Sequence, residues 1–319
     1  MAYLLADVEL SRPLPSLSLR GEEDGVGVLV RLHDRPIDFV LQALPAGSTL
    51  APEALEALIA GAARVKLVAL SLADELAPRL DPRPVEVTIL HAPPSTAALE
   101  RAGTRWVAFL APGATADRGW RAGLEEALAE QPDAAAVTGL VLPSALETDA
   151  QVELARAGGL GLGFGKLRLT GARRAGSPFH PVDGRLLGAS GNVVVRRDLA
   201  LAVGGFDSSL AGTGAHEPEL LFRLVHSGHV LAYEPRMLAF HVLHAGSRAA
   251  GARFVAQVGQ AGAVDPSQRA RARRAVAWWA AKAGKRLVRG PVRLDPRTRG
   301  AAVAELAGGL GAAIRARRS

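Results

Sequence analysis

Short apolar runs alternate with helical stretches over most of the chain, and this alternation restricts the fold more than any other feature. The candidate strands are residues 65–70, 85–90, 106–110, 135–142, 192–195 and 230–233. The candidate helices among them are residues 72–80, 95–102, 120–129, 198–203 and 217–227. Strands separated by short helices imply βαβ units. The sequence therefore predicts an α/β fold with a mixed, mainly parallel sheet and flanking helices.

The two ends of the chain differ from this middle part. Residues 26–32 and 37–44 are apolar and β-branched, and a short polar segment between them suits a turn, so we expect a hairpin. A helix is predicted over residues 52–63. The last residues are rich in Ala and Arg and read as helical. We therefore divide the chain into a β-rich extension (1–64), an α/β domain (65–247) and an Arg-rich helical tail (248–319).

The charge of the protein is concentrated in the tail. Residues 266–319 hold 14 Lys and Arg against two acidic residues, whereas the whole chain has a net charge of +7. Such asymmetry indicates an anionic partner. Nucleic acid is disfavoured, because aromatic residues make up only 4% and no stacking platform is evident. Trp278 and Trp279 lie among basic residues, which fits either an interfacial helix that meets a membrane or lipid-linked acceptor, or a helix packed on the core.

Several classes of site are excluded by composition. The chain has no Cys, so it has no disulfide, thiolate metal site or Cys nucleophile. We find no apolar run of 18 residues and no basic signal region, and we expect a cytoplasmic protein, peripheral at the inner face of the membrane through its tail. The glycine run 158–166 departs from a P-loop, since Leu167 stands where Ser or Thr is needed. It reads as a surface loop.

An ordered series of motifs resembles the C-terminal half of the family 2 glycosyltransferases, which have the GT-A fold. The series consists of a Gly-Gly-Phe-Asp turn, an acidic residue opening a helix, an Arg-Leu segment, a Tyr-x-Pro strand and a later His, at residues 204–207, 217, 223–224, 233–235 and 241. Upstream, residues 188–197 are similar to the family's G-x-G-x-N segment. The N-terminal hairpin also looks like an extension carried by some actinobacterial members.

The resemblance implies transfer of a sugar from a nucleotide sugar to an acceptor hydroxyl, with three acidic features that this sequence lacks. The acid that holds the nucleotide is replaced by His91, and the metal-binding D-x-D loop by Ala111-Pro112-Gly113. The usual catalytic Asp is replaced by Pro218. Neither Ala nor Pro offers a side-chain oxygen to Mg²⁺ or Mn²⁺. We therefore expect no metal cofactor unless an atypical site forms, with His241 as its candidate.

The remaining candidates follow from the same comparison. Glu217 and Glu219 flank Pro218 and are the candidate catalytic residues. The candidate substrate-binding residues are Gly191, Asn192, Arg105 and Arg118, the two Arg side chains standing in for the metal. Three hypotheses remain open: a degenerate, non-catalytic member acting in glycan biosynthesis, an active metal-independent enzyme, and a scaffold or partner subunit of another glycosyltransferase.

Overall fold

The computed structural model of the chain describes residues 2–76, 81–156, 161–170, 191–208 and 216–242. The predicted helical tail, His244 and the start of the glycine run lie outside these residues. In the described part, no helix is both long and apolar enough to cross a membrane.

The N-terminal part of the chain forms a small three-stranded sheet covered by a helix. Its strands are β1 (Ala2–Glu9), β3 (Glu23–Leu32) and β4 (Arg35–Ala43), in the order β1-β3-β4. The short strands β2 (Leu17–Ser18) and β5 (Thr49–Leu50) pair with each other. The predicted hairpin is present between β3 and β4, and its turn residues His33 and Asp34 both have positive φ. This is the backbone of a two-residue turn that matches strand twist.

The helix that follows contradicts one predicted strand. Residues 65–70 belong to α1 (Pro52–Leu76), which also includes the helix predicted over 52–63 and the described part, 72–76, of the helix predicted over 72–80. Leu55, Ile59 and Ala63 recur every four residues and are buried against the N-terminal sheet. This helical period outweighs the β-branched composition of the 65–70 run. Residue 64, at which we divided the chain, falls inside α1.

A second, larger sheet contains β6 (Val87–Leu90), β7 (Trp106–Leu110), β8 (Thr115–Ala116), β9 (Ala134–Pro143), β10 (Leu167–Leu169), β11 (Asn192–Arg196) and β12 (Val230–His241). Its order is β10-β12-β9-β11-β7-β6, and β8 pairs with β12. The strands β6, β7, β9 and β12 run in one direction, while β11 lies antiparallel between β7 and β9. The predicted mixed α/β sheet is thus confirmed.

One strand end was predicted wrongly. We expected β12 to stop at Glu234-Pro235, but it continues to His241. A register shift between Glu234 and Ala239 takes the proline out of the regular ladder, since proline has no N–H to donate to β9.

Helices cover both faces of the larger sheet. They are α2 (Thr96–Arg101), α3 (Trp120–Glu130), α4 (Asp149–Arg156), α5 (Arg197–Ala202) and α6 (His216–His226). Leu99 of α2 and Leu220 of α6 pack on one face with Phe109, and Leu124 of α3 packs on the other with Ala108. Because β6 and β7 are parallel neighbours, their carboxyl ends share one edge of the sheet, where α/β folds usually bind ligands.

Candidate active site at the carboxyl edge of the sheet

The ends of β6 and β7 present little side-chain chemistry. The exposed His91 follows β6, and Ala111-Pro112-Gly113 follows β7. The N–H of Ala111 donates to the carbonyl of Gly191 at 2.9 Å, so this loop is attached to the start of β11. Among the described residues, no three His, Cys, Asp or Glu side chains lie together as a metal site would require. Of the described residues, Ala111-Pro112-Gly113 offer no side-chain oxygen to the divalent cation that the family resemblance implies.

Two of the predicted site residues, Gly191 and Glu217, meet at this edge. The N–H of Gly191 donates to Oε1 of Glu217 at 3.1 Å. Gly191 has a φ of +87°, and a Cβ added there would lie 2.8 Å from the Cβ of Ala111. Only glycine suits both the positive φ and the close approach of Ala111. Glu217 opens α6, is 7% exposed, and has its pKa raised by burial.

Asn192 lies in the core, where its side chain joins four elements. Its Nδ2 donates to the carbonyls of Leu140 at 3.0 Å and Met237 at 2.6 Å, and its Oδ1 accepts from the indole N–H of Trp120 at 2.9 Å. The side chain is completely buried. In this placement it connects β11 to β9, β12 and α3, and its predicted contact with substrate remains a prediction.

Glu219 is held by an ion pair within α6. Its two oxygens accept from Nε and Nη2 of Arg223 at 2.5 and 2.6 Å. The same guanidinium donates to the carbonyls of Val203 and Gly205. Glu219 and Arg223 therefore fasten the Gly-Gly-Phe-Asp turn to α6. The spacing of four residues between an acid and an Arg could have indicated this pair from sequence.

The two predicted Arg candidates contact other parts of the chain. Arg105 precedes the first residue of β7, so the length of this strand, about 17 Å, separates it from the carboxyl edge. There it lines a cleft beside Arg83 and Glu125. Arg118 forms an ion pair with Asp34 of the β3–β4 turn at 2.7 Å, and both side chains are about half exposed.

Sequence reasoning missed the contact that orders the segment after β7. Arg31 of β3 donates from both terminal nitrogens to Asp117, at 2.8 and 3.1 Å, and from Nε to Asp7 at 2.7 Å. Its side chain is completely buried, and that of Asp117 is 5% exposed. The N-terminal sheet is thus fixed to the segment in which the metal loop of the family would lie. No sequence signal connects residues 86 positions apart.

A second buried charge lies in the Tyr-Glu-Pro segment. Glu234 is 2% exposed and 3.4 Å from Nζ of Lys166. The same Nζ lies 2.6 Å from Glu126 and 2.5 Å from Glu130. Burial raises the pKa of Glu234 to about 7, against the opposing effect of Lys166. Our sequence analysis assigned Glu234 only to the end of a strand.

His241, the metal candidate, is the last residue of β12 and is in register with Pro143 of β9. It belongs to no group of three ligands among the described residues. His244, which could form a pair with it at a spacing of three residues, lies outside them.

The solved structures similar to this chain include the two described next, while no protein-family model and no curated protein matches the chain. The mannosyltransferase PcManGT from Pyrobaculum calidifontis, in complex with GDP-Man and Mn²⁺, is 15% identical with a TM-score of 0.41, over 99% of this chain and 87% of that one. GalNAc-T7 with UDP, GalNAc and Mn²⁺ is 14% identical with a TM-score of 0.34, over 51% of this chain. This chain spans about a third of the length of GalNAc-T7, since 33% of that protein is covered. At these values neither likeness carries an argument about function.

Proposed function

We propose that the chain is a glycosyltransferase-like protein of glycan or glycoconjugate biosynthesis that does not itself transfer sugar. One observation carries the proposal: the acids at or near the carboxyl edge are already occupied by structural contacts. Asp117 is held by Arg31, Glu219 by Arg223, and Glu217 accepts from the backbone of Gly191. We also propose that it belongs to the family 2 type, with an actinobacterial-type N-terminal extension, on the ordered motifs of its sequence.

The chemistry of sugar transfer explains why these contacts matter. A general base must reach the acceptor hydroxyl, and a positioned base or acid contributes about 10²–10⁴-fold to a rate. Arg223 and Arg31 occupy the carboxylate lone pairs of Glu219 and Asp117 that a substrate would need. The loop after β7 offers no side-chain oxygen to a cation that could neutralise a departing diphosphate.

Nucleotide-sugar binding is part of the proposal, and it separates this function from an unrelated use of the fold. Calorimetric titration with uridine and guanosine diphosphate sugars, with and without Mn²⁺, measures it directly. We expect binding that Mn²⁺ does not alter, and no release of nucleoside diphosphate over hours. Binding or turnover that requires Mn²⁺ would contradict the proposal.

A second candidate function is metal-independent sugar transfer with Glu217 as the base. The observation that favours it is the position of Glu217, which is buried at the carboxyl edge, next to the loop after β7, with a raised pKa. The ionised carboxylate would take the proton of the acceptor hydroxyl while the hydroxyl oxygen bonds to the anomeric carbon. The nucleoside diphosphate would leave with the electrons of the bond that joined it to the sugar. Turnover should then rise with pH through the raised pKa of Glu217.

The variant Glu217→Gln distinguishes the two candidates. If Glu217 is the base, Glu217→Gln abolishes turnover without loss of nucleotide-sugar binding, while the exposed Glu100→Gln serves as the matched control. If the chain is non-catalytic, neither variant changes a rate that is already at background. A partner role predicts in addition that an intact glycosyltransferase gains activity when it is purified together with this chain.

A further inference from the structure

The outer face of α1 carries an unusual run of exposed apolar side chains. Val65, Val68 and Leu72 are 81%, 57% and 53% exposed, and spacings of three and four residues place them on one face of the helix. Only two other large hydrophobic residues are exposed in the described part of the chain. We call Val65, Val68 and Leu72 the apolar stripe. A contiguous apolar surface of this kind marks a contact site more often than isolated apolar residues do.

The uneven distribution of charge along the chain indicates what covers the apolar stripe. Residues 1–76, which include α1, hold 11 acidic and 6 basic residues, or −5. Residues 77–265 are balanced, with 18 of each, and residues 266–319 carry +12. We call residues 266–319 the basic segment. The excess acid thus lies in the same unit as the apolar stripe, and opposite charges favour association of the two.

The basic segment also has the apolar residues and the reach that such a contact needs. Trp278 and Trp279 are its largest apolar side chains. Described structure ends at Val242, and the 23 residues before Pro266 can span up to roughly 80 Å when extended. That distance exceeds the dimensions of a domain of this size, so the segment can reach α1 from any point on the surface.

We propose that the basic segment binds the apolar stripe of α1 within the same molecule, with Trp278 and Trp279 on Val65, Val68 and Leu72. Its Arg and Lys side chains face the acidic unit formed by residues 1–76. An anionic membrane suits the basic segment alone, but the net negative charge of residues 1–76 repels such a surface.

Tryptophan fluorescence of the full chain tests the contact. Of the four Trp residues, Trp106 and Trp120 are buried, so acrylamide quenching reports on Trp278 and Trp279. We expect little quenching of the unmodified chain. The double variant Val65→Glu/Val68→Glu should make two of the four tryptophans accessible, and high salt should have a similar effect. Val242→Glu, the same change at an exposed valine outside the stripe, should have none.

A second measurement does not depend on these charged variants folding normally. The chain has no Cys, so Val68→Cys can be labelled with a nitroxide at one position. The label should quench Trp278 and Trp279, whereas a label at Val242→Cys should not. Equal quenching by acrylamide in all variants, or none by the nitroxide, overturns the proposal. So does protection that appears only at high protein concentration, which indicates a second copy, or only with phosphatidylserine vesicles, which indicates a lipid surface.

Discussion

At the scale of single residues, Asn192 is the clearest case of a motif residue with a structural role. Its amide holds two carbonyls and an indole N–H inside the core. Replacing it by Ala leaves these groups buried without partners, at about 1–3 kcal/mol for each. We expect Asn192→Ala to lower the free energy of unfolding by at least about 3 kcal/mol, as measured by urea denaturation. If Asn192 instead served only to bind substrate, the variant would keep its stability and lose affinity.

Glu234 gives a prediction about pH. Its pKa is about 7 in the folded chain against a usual 4.5, so the folded state binds the proton more tightly. The stabilisation by this group is therefore complete below pH 4.5 and is lost as pH rises to about 7. The loss amounts to about 3 kcal/mol for such a shift. The groups around it are Lys166, Glu126, Glu130 and Arg236.

The variant Glu234→Gln replaces the titrating carboxyl group by an amide that does not titrate. Its stability relative to the unmodified chain should increase between pH 5 and pH 8, as measured by urea denaturation at both values. Glu130→Gln is the matched control, because Glu130 contacts the same Lys166 and is 29% exposed. Parallel pH dependence of the unmodified chain and Glu234→Gln would show that Glu234 does not titrate in this range.

Some of these contacts can be predicted from the sequence, and others cannot, because their partners are set by the order of the strands. The contact of Gly191 with Glu217 joins two motifs that the family resemblance already placed together. Glu219 and Arg223 lie one helical turn apart, so their pairing needed only the helix period. The partners of Asn192 lie on three different elements, and their identity follows from sheet order, which local patterns do not encode.

At the scale of elements, two ion pairs connect the β3–β4 hairpin to the segment before α3, and they differ in burial. Arg31 and Asp117 are buried, whereas Arg118 and Asp34 are about half exposed. Removing one partner of a buried pair costs about 3–5 kcal/mol, because the other charge stays behind without water. An exposed pair contributes about 0–1 kcal/mol. Arg31→Met should therefore destabilise the chain strongly, and Arg118→Ala should not.

Thermal unfolding of both variants measures the difference. Arg31→Met/Asp117→Leu, which removes both charges, should recover part of the stability lost in Arg31→Met. Equal melting temperatures for Arg31→Met and Arg118→Ala would mean that the hairpin does not depend on the buried pair.

The long helix α1 shows where element prediction failed. The run 65–70 is apolar and partly β-branched, and by itself it reads as a strand. The buried positions of α1 are set four residues apart and begin earlier, at Leu55. The exposed Val65 and Val68 are therefore not part of the core. A local apolar run misled the prediction because apolar residues can also lie at a surface that binds something else.

At the scale of the whole molecule, the strand order suits a ligand site, whereas the described side chains do not form a metal site. The strand order brings the ends of β6 and β7 to one edge, as in other α/β ligand sites, yet no described residues group there as metal ligands. A ligand that binds only the folded state stabilises it by RT ln(1 + [L]/Kd), about 2.7 kcal/mol at a hundredfold excess over Kd. The melting temperature of the full chain therefore reports on a metal site wherever one lies.

We expect millimolar Mn²⁺ or Mg²⁺, and equally EDTA, to leave the melting temperature unchanged. Glu217 and Asp117 are separately engaged by Gly191 and Arg31, and moving either carboxylate would leave a buried partner without its hydrogen bond. A saturable increase with Mn²⁺ would refute this expectation. Its loss in Glu217→Gln would assign the cation to the carboxyl edge, and its loss in His241→Ala would assign it to the end of β12. Either result would contradict both candidate functions, because each is independent of metal, and would favour a metal-dependent transferase in which the cation neutralises a departing diphosphate.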